Sequence, residues 1–116
     1  MKIVVVEDNR IEMKNIEYII STIDGLEIAA KFTNGLDAWE YFQNNTADIL
    51  VTDIQMAKMD GIELIQKLSD EGNDIEKIII SGYADFNNAQ NAISAGGRGY
   101  VLKPFLDDEL HDTIIE

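Results

Sequence analysis

The stretch Ile3-Val4-Val5-Val6-Glu7-Asp8 decides the fold, because a short run of β-branched apolar residues ends abruptly in two acids. A run of this kind is typical of a strand buried on both faces of a parallel sheet. Similar runs recur at Ile49 to Val51, Ile78 to Ile80 and Tyr100 to Leu102, with Leu26 to Phe32 as a weaker candidate. The sequence therefore predicts a parallel sheet of five strands.

Segments with helical periodicity lie between these runs. The apolar positions that define them are Ile16, Ile19, Ile20 and Ile23; Ala38 and Phe42; Gly61, Leu64, Ile65 and Leu68; Phe86, Ala89 and Ile93; and Leu106, Leu110 and Ile114. Regular alternation of strands and helices predicts an α/β fold, a doubly wound five-stranded parallel sheet with five helices. Such a sheet binds its ligand at the carboxyl ends of its strands.

Composition restricts the possible functions. The 116 residues are enough for one domain, 1–116, and the last helical pattern is still running at Glu116, as in a segment of a longer protein. Without cysteine and with a single histidine, His111, the chain has no thiolate or histidine-cluster metal site. The net charge of −13 opposes direct binding of nucleic acid. No apolar run could span a membrane or serve as a signal peptide, so a cytoplasmic location is expected.

Polar residues follow the predicted strands at the carboxyl edge of the sheet. They are Glu7 and Asp8 after the first strand, Asp53 after the third, Ser81 after the fourth and Lys103 after the fifth. Acids brought together would repel one another, and Mg²⁺ offsets such repulsion. A carboxylate could then attack phosphorus, while Lys103 and Ser81 contact other phosphoryl oxygens. The sequence therefore predicts phosphoryl chemistry at this edge.

These residues lie in motifs that resemble the receiver domain of bacterial two-component response regulators over essentially the whole chain. The matching stretches are Val4 to Asn9, Asp48 to Met56, Met59 to Gly61, Ile80 to Tyr83 and Tyr100 to Pro104. The resemblance implies a flavodoxin-like fold and a sensor histidine kinase as partner. It also implies that Asp53 is the phosphoacceptor.

The resemblance assigns roles to the other site residues. It implies that Asp8 binds Mg²⁺ directly, Glu7 through water and Gln55 through its backbone carbonyl. Ser81 and Lys103 would contact the phosphoryl group, with Lys103 aimed by a cis bond to Pro104.

The resemblance further implies a conformational switch and an output. Ser81 and Tyr100 resemble the switch pair, although Tyr100 could be ordinary strand packing. The stretch Ser81 to Phe86 is similar to receivers joined to a C-terminal AraC-type DNA-binding domain, which would be absent from this chain. Activation could produce a homodimer, for which Tyr83 and Phe86 are candidate contacts, although both could be ordinary packing.

Two positions depart from the family pattern. Ala57 stands where the family usually has proline, which predicts a more mobile loop after Asp53. Gly97 stands where the family often has alanine, and with Gly96 and Gly99 it predicts a soft connection before the last strand.

Three other functions are alternatives for a protein with this fold, and each has different residue requirements. A phosphatase of the haloacid-dehalogenase type would need a second acid where this chain has Gln55. A flavin- or nucleotide-binding module would need a first loop of the opposite charge to Glu7 to Arg10. A receiver-shaped interaction module that is never phosphorylated would not require all of the acids, the hydroxyl and the lysine.

Overall fold

The computed structural model describes residues 1–82, 96, 98–102 and 107–115. In chain order, the strands and helices are β1 (Lys2–Val6), α1 (Arg10–Ser21), β2 (Glu27–Phe32), α2 (Gly35–Phe42), β3 (Ile49–Asp53), α3 (Gly61–Asp70), β4 (Glu76–Ser81), β5 (Gly99–Leu102) and α4 (Asp107–Ile115). The described residues contain four helices rather than the predicted five, and the remaining predicted helix, around Phe86 to Ile93, falls outside them.

The strands form one parallel sheet in the order β2-β1-β3-β4-β5, which confirms the predicted doubly wound arrangement. Register aligns Val6 with Thr52, Asp53 with Ile80, and Ser81 with Leu102. The carboxyl ends of β1, β3 and β4 therefore meet at one edge. Because Asp53 is the last residue of β3 rather than the first of a loop, the sheet itself fixes its backbone.

Alternation along the strands divides the core between the two faces of the sheet. Val4, Val6 and Leu50 pack on one face with the buried sides of α2 and α3. Ile3 and Val5 pack on the other face with α1 and α4. The predicted helix stripes are confirmed where they are described, except that Ile23 lies beyond the end of α1 and is only partly buried.

Polar side chains cap the N-termini of three of the described helices. The side chains of Asn9, Asn34 and Asp60 accept backbone N–H groups from the first turns of α1, α2 and α3. Such caps satisfy donors that a helix leaves unpaired at its start. The caps at Asn9 and Asp60 hold the first turns of α1 and α3 close to the carboxyl ends of β1 and β3.

Among the residues that the structure describes, none of the helices combines the length and the apolar character that a membrane crossing requires.

Candidate functional site

Glu7 continues β1 by one residue into the carboxyl edge of the sheet. Its N–H donates to the Phe32 carbonyl at 2.9 Å, and its Oε2 accepts the Asn9 N–H at 3.0 Å. The side chain is only 1% exposed. These bonds hold a carboxylate in a buried position at the start of α1.

Asp53 places a second buried carboxylate beside the first. It is 6% exposed, and its Oδ1 accepts the Ile54 N–H at 2.7 Å. Thr52 is fully buried, and its hydroxyl donates to the Asp53 carbonyl at 2.9 Å. Hydrogen bonds within the protein therefore hold both the backbone and the side chain of Asp53 in place.

The carboxylates of Glu7 and Asp53 meet, and a third acid joins them. One oxygen each of Glu7, Asp53 and Glu12 lies within 4.8 Å of the other two. Glu12 is not among the predicted site residues, because it lies in a helix rather than at the end of a strand. The signal was present, since a helix that begins directly after β1 brings its first turn back over the same edge of the sheet.

Asp8 lies close by in the chain but has a different environment. It is exposed, and it lines a surface groove of about 510 Å³ together with Glu7, Arg10 and Lys31. The group of three neighbouring carboxylates does not include it. Its role as a direct metal ligand stays a prediction.

The donor set fits a divalent cation of the kind that the sequence predicts. Mg²⁺ and Ca²⁺ are bound by oxygen ligands, above all carboxylates, and a cation offsets the repulsion among acids packed this closely. Buried acids also interact with a cation more strongly than acids in water, because the surrounding dielectric is lower.

The loop after Asp53 has a tight backbone path. Lys58 has a φ of +68°, and the Met59 N–H donates to the Ala57 carbonyl at 2.8 Å, which makes a γ-turn centred on Lys58. The Met59 carbonyl in turn accepts the Gly35 N–H from the start of α2 at 2.9 Å. These bonds attach the loop to α2; the greater mobility expected from Ala57 stays a prediction.

The first residue of α3 lies very close to the backbone at the end of β3. The Gly61 N–H donates to the Ile54 carbonyl at 2.8 Å. A Cβ at Gly61 would lie 2.0 Å from the Asp53 carbonyl oxygen. Only glycine fits at this position while Asp53 keeps its place.

Ser81 and Tyr100 occupy neighbouring strands, as the predicted switch pair requires. Ser81 is fully buried, and its Oγ donates to the Gly82 carbonyl at 3.2 Å. Tyr100 pairs in register with Ile79 and packs against the core face that includes Val6 and Ile54. Its hydroxyl is buried and has no hydrogen-bond partner in the described part of the chain.

Several predicted residues cannot be placed at the site. Gln55 lies in the described loop and is exposed. Lys103, Pro104, Tyr83, Phe86 and Gly97 lie outside the described residues. The roles that the sequence analysis assigned to all of these positions stay predictions.

A parallel sheet with buried acids at its carboxyl edge defines the chain as a doubly wound α/β protein with a candidate cation site. Residues 3–115 match the family model described as the response regulator receiver domain, and the chain belongs to this family.

Relatives agree with this assignment. The chain is 30% identical over 113 residues to the transcriptional regulatory protein YhcZ of Bacillus subtilis, covering 97% of this chain and 53% of that protein. It is 32% identical over 116 residues to the transcriptional regulatory protein YesN of the same organism, covering 99% and 32%. The chain therefore spans about half of one relative and about a third of the other.

A solved structure gives the same result for the fold. The response regulatory domain of protein mrkE from Klebsiella pneumoniae superposes with a TM-score of 0.90 at 26% identity, covering 99% of this chain and 93% of that one.

Proposed function

We propose that this domain is the phosphoacceptor switch of a two-component system and that Asp53 carries the phosphoryl group. The observation that carries the proposal is the buried pairing of the Glu7 and Asp53 carboxylates, whose oxygens lie within 4.8 Å at the carboxyl edge of β1 and β3. Membership in the receiver family supports it, and favours this function over the phosphatase and flavin-binding alternatives.

In the proposed reaction, a carboxylate oxygen of Asp53 attacks the phosphorus of a phosphohistidine on a partner histidine kinase. The phosphorus–nitrogen bond breaks as the new phosphorus–oxygen bond forms, and the departing imidazole nitrogen keeps the electron pair. The Ile54 N–H, which donates to Oδ1 of Asp53, fixes the orientation of the carboxylate. Positioning of this kind accounts for much of the catalysis in phosphoryl transfer.

Mg²⁺ would be held by Glu7, Asp8, Asp53 and the Gln55 carbonyl, and when bound would supply positive charge against the incoming phosphoryl oxygens. Lys103 and the Ser81 hydroxyl would contact the remaining phosphoryl oxygens. The domain would thus promote its own phosphorylation and dephosphorylation.

The proposed switch uses the Ser81 hydroxyl. Its bond to the Gly82 carbonyl is long, at 3.2 Å, so a charged phosphoryl oxygen is a stronger partner for the same donor. Movement of Ser81 toward the phosphate would change the packing of Tyr100 on the neighbouring strand. Phosphorylation would then favour one of two existing conformations.

The proposed output is transcription in the cytoplasm. The two Bacillus relatives are transcriptional regulatory proteins that are about two and three times as long as the matched region. A DNA-binding domain of the AraC type, joined after this segment, would contact the DNA, since a domain with a charge of −13 is repelled by phosphates. Phosphorylation would act on that domain, with homodimer formation as the expected consequence.

Incubation with a small phosphodonor and Mg²⁺, followed by measurement of the intact mass, tests the proposal. We expect one phosphoryl adduct that hydroxylamine removes, as for an acyl phosphate. Asp53→Asn and chelation of the metal should both abolish it. Asp24→Asn is the matched control, because Asp24 is exposed and lies beyond the opposite end of α1. An adduct that persists in Asp53→Asn would refute the assignment.

A further inference from the structure

A third acid from α1 lies against the two buried carboxylates. One oxygen of Glu12 lies within 4.8 Å of oxygens from Glu7 and Asp53, and its side chain is half-buried. We infer that Glu12 belongs to the cation site and strengthens its hold on a divalent metal ion. This inference rests on the proposed function, since it assigns an additional ligand group to the same site.

The start of α1 accounts for the position of Glu12. Asn9 caps the helix by accepting the N–H groups of Ile11 and Glu12, both at 3.0 Å. A glutamate at the third position of a helix commonly reaches back to the N–H of the capping residue. Here the Asn9 N–H donates to Glu7 instead, at 3.0 Å. Glu7 thus accepts the N–H of the capping residue. The Glu12 carboxylate lies near the carboxylates of Glu7 and Asp53.

The spacing of the three oxygens suits a single ion. Ligand oxygens around an octahedral Mg²⁺ are about 3 Å apart when adjacent and about 4.2 Å apart when opposite, given bonds of about 2.1 Å. Oxygens within 4.8 Å of one another reach such an arrangement through small side-chain adjustments, or with one water between Glu12 and the ion. Each added carboxylate also increases the attraction for the cation, because the site is largely buried.

A purely structural role for Glu12 makes a different prediction. An acid in the first turn of a helix stabilises the helix slightly through the macrodipole, whether or not a metal ion is present. A metal-binding role instead changes the affinity for the ion. The two roles therefore separate in a titration that measures metal binding directly.

The experiment is isothermal titration of the unphosphorylated chain with Mg²⁺, and with Mn²⁺ as a second probe, in wild type and in Glu12→Gln. Glu63→Gln is the matched control, because Glu63 lies in the first turn of α3, and its N–H donates to the capping Asp60 at 2.8 Å. Glu63 is exposed and lies outside the group of three carboxylates. Thermal unfolding without metal shows that each variant folds.

We expect Glu12→Gln to weaken Mg²⁺ binding roughly tenfold, the lower end of the effect seen for groups that support metal ligands. Glu63→Gln should bind Mg²⁺ as the wild type does. Without metal, Glu12→Gln should be no less stable than Glu63→Gln, because it also removes a repelling charge. Equal Mg²⁺ affinity in Glu12→Gln and wild type would overturn the inference. The titration uses no phosphodonor, so failure of Asp53 to accept a phosphoryl group would refute the proposed function without altering this result.

Discussion

Replacement of Gly61 by alanine tests how closely α3 controls the position of Asp53, the proposed phosphoacceptor. A Cβ at this residue would lie 2.0 Å from the Asp53 carbonyl oxygen, whereas ordinary contact begins at 3.4 Å. The two atoms must therefore separate by about 1.4 Å, the difference between these distances. Neither is the far end of a flexible side chain, so the start of α3 or the end of β3 has to move.

The expected loss of stability follows from two effects. Overpacking of this kind costs about 1–3 kcal/mol, and the bond from the Gly61 N–H to the Ile54 carbonyl is worth about 0.5–1.5 kcal/mol. Gly61→Ala should therefore lower the free energy of unfolding by about 1.5–4.5 kcal/mol in urea titrations. A displacement near 1 Å at a reacting group can also slow a reaction by about a hundredfold, so phosphorylation of Asp53 should slow at least tenfold.

Gly25→Ala is the control that distinguishes the effect of lower stability from the effect of displacing Asp53. Gly25 has a φ of +82°, and no atom lies within 4 Å of a Cβ built there. Alanine in this left-handed conformation costs about 1–2 kcal/mol, but the residue lies between α1 and β2, beyond the helix end opposite the site. We expect reduced stability with an unchanged rate of phosphorylation. Wild-type stability together with a wild-type phosphorylation rate in Gly61→Ala would show that the start of α3 does not constrain Asp53.

The sequence predicted the parts of the fold that depend on local pattern. Runs such as Ile3 to Val6 and Ile78 to Ile80 are apolar on both faces, and only a sheet covered by helices on both sides can bury them. The sequence also placed Glu7 and Asp53 together, because each lies at the carboxyl end of a strand and the strands are parallel. Parallel strands that start at one edge must end at the other.

Residues whose placement depends on tertiary packing were harder to predict. The start of α1 directly after β1 brings the first turn of the helix near the same edge, but only the folded structure shows that an oxygen of Glu12 lies within 4.8 Å of oxygens of Glu7 and Asp53. Lys77 reads as a polar break before an apolar run, but it lies inside β4 and is 5% exposed. Its long side chain turns toward the preceding loop, where its Nζ donates hydrogen bonds to the Asn73 and Ile75 carbonyls, both at 3.1 Å. Pattern rules treat lysine as a surface residue and miss such internal partners.

Two further substitutions test buried polar groups that the fold leaves in unusual positions. Tyr100→Phe should leave the free energy of unfolding unchanged or raise it by up to about 2 kcal/mol, since the hydroxyl is buried without a partner among the described residues. The midpoints of urea unfolding measure this effect, and Tyr18→Phe is the control because Tyr18 is exposed. A clear loss of stability in Tyr100→Phe would show that the hydroxyl makes a hydrogen bond. Burial lowers the pKa of Lys77 below 10.5, against the opposing charges of Asp74 and Glu76. The unfolded chain therefore binds more protons than the folded chain between the lowered pKa and 10.5, so stability rises with pH across that window. Lys77→Met should remove this rise, which thermal unfolding of both proteins at several alkaline pH values will measure, and identical pH profiles would show that the Lys77 ammonium is not disfavoured by folding.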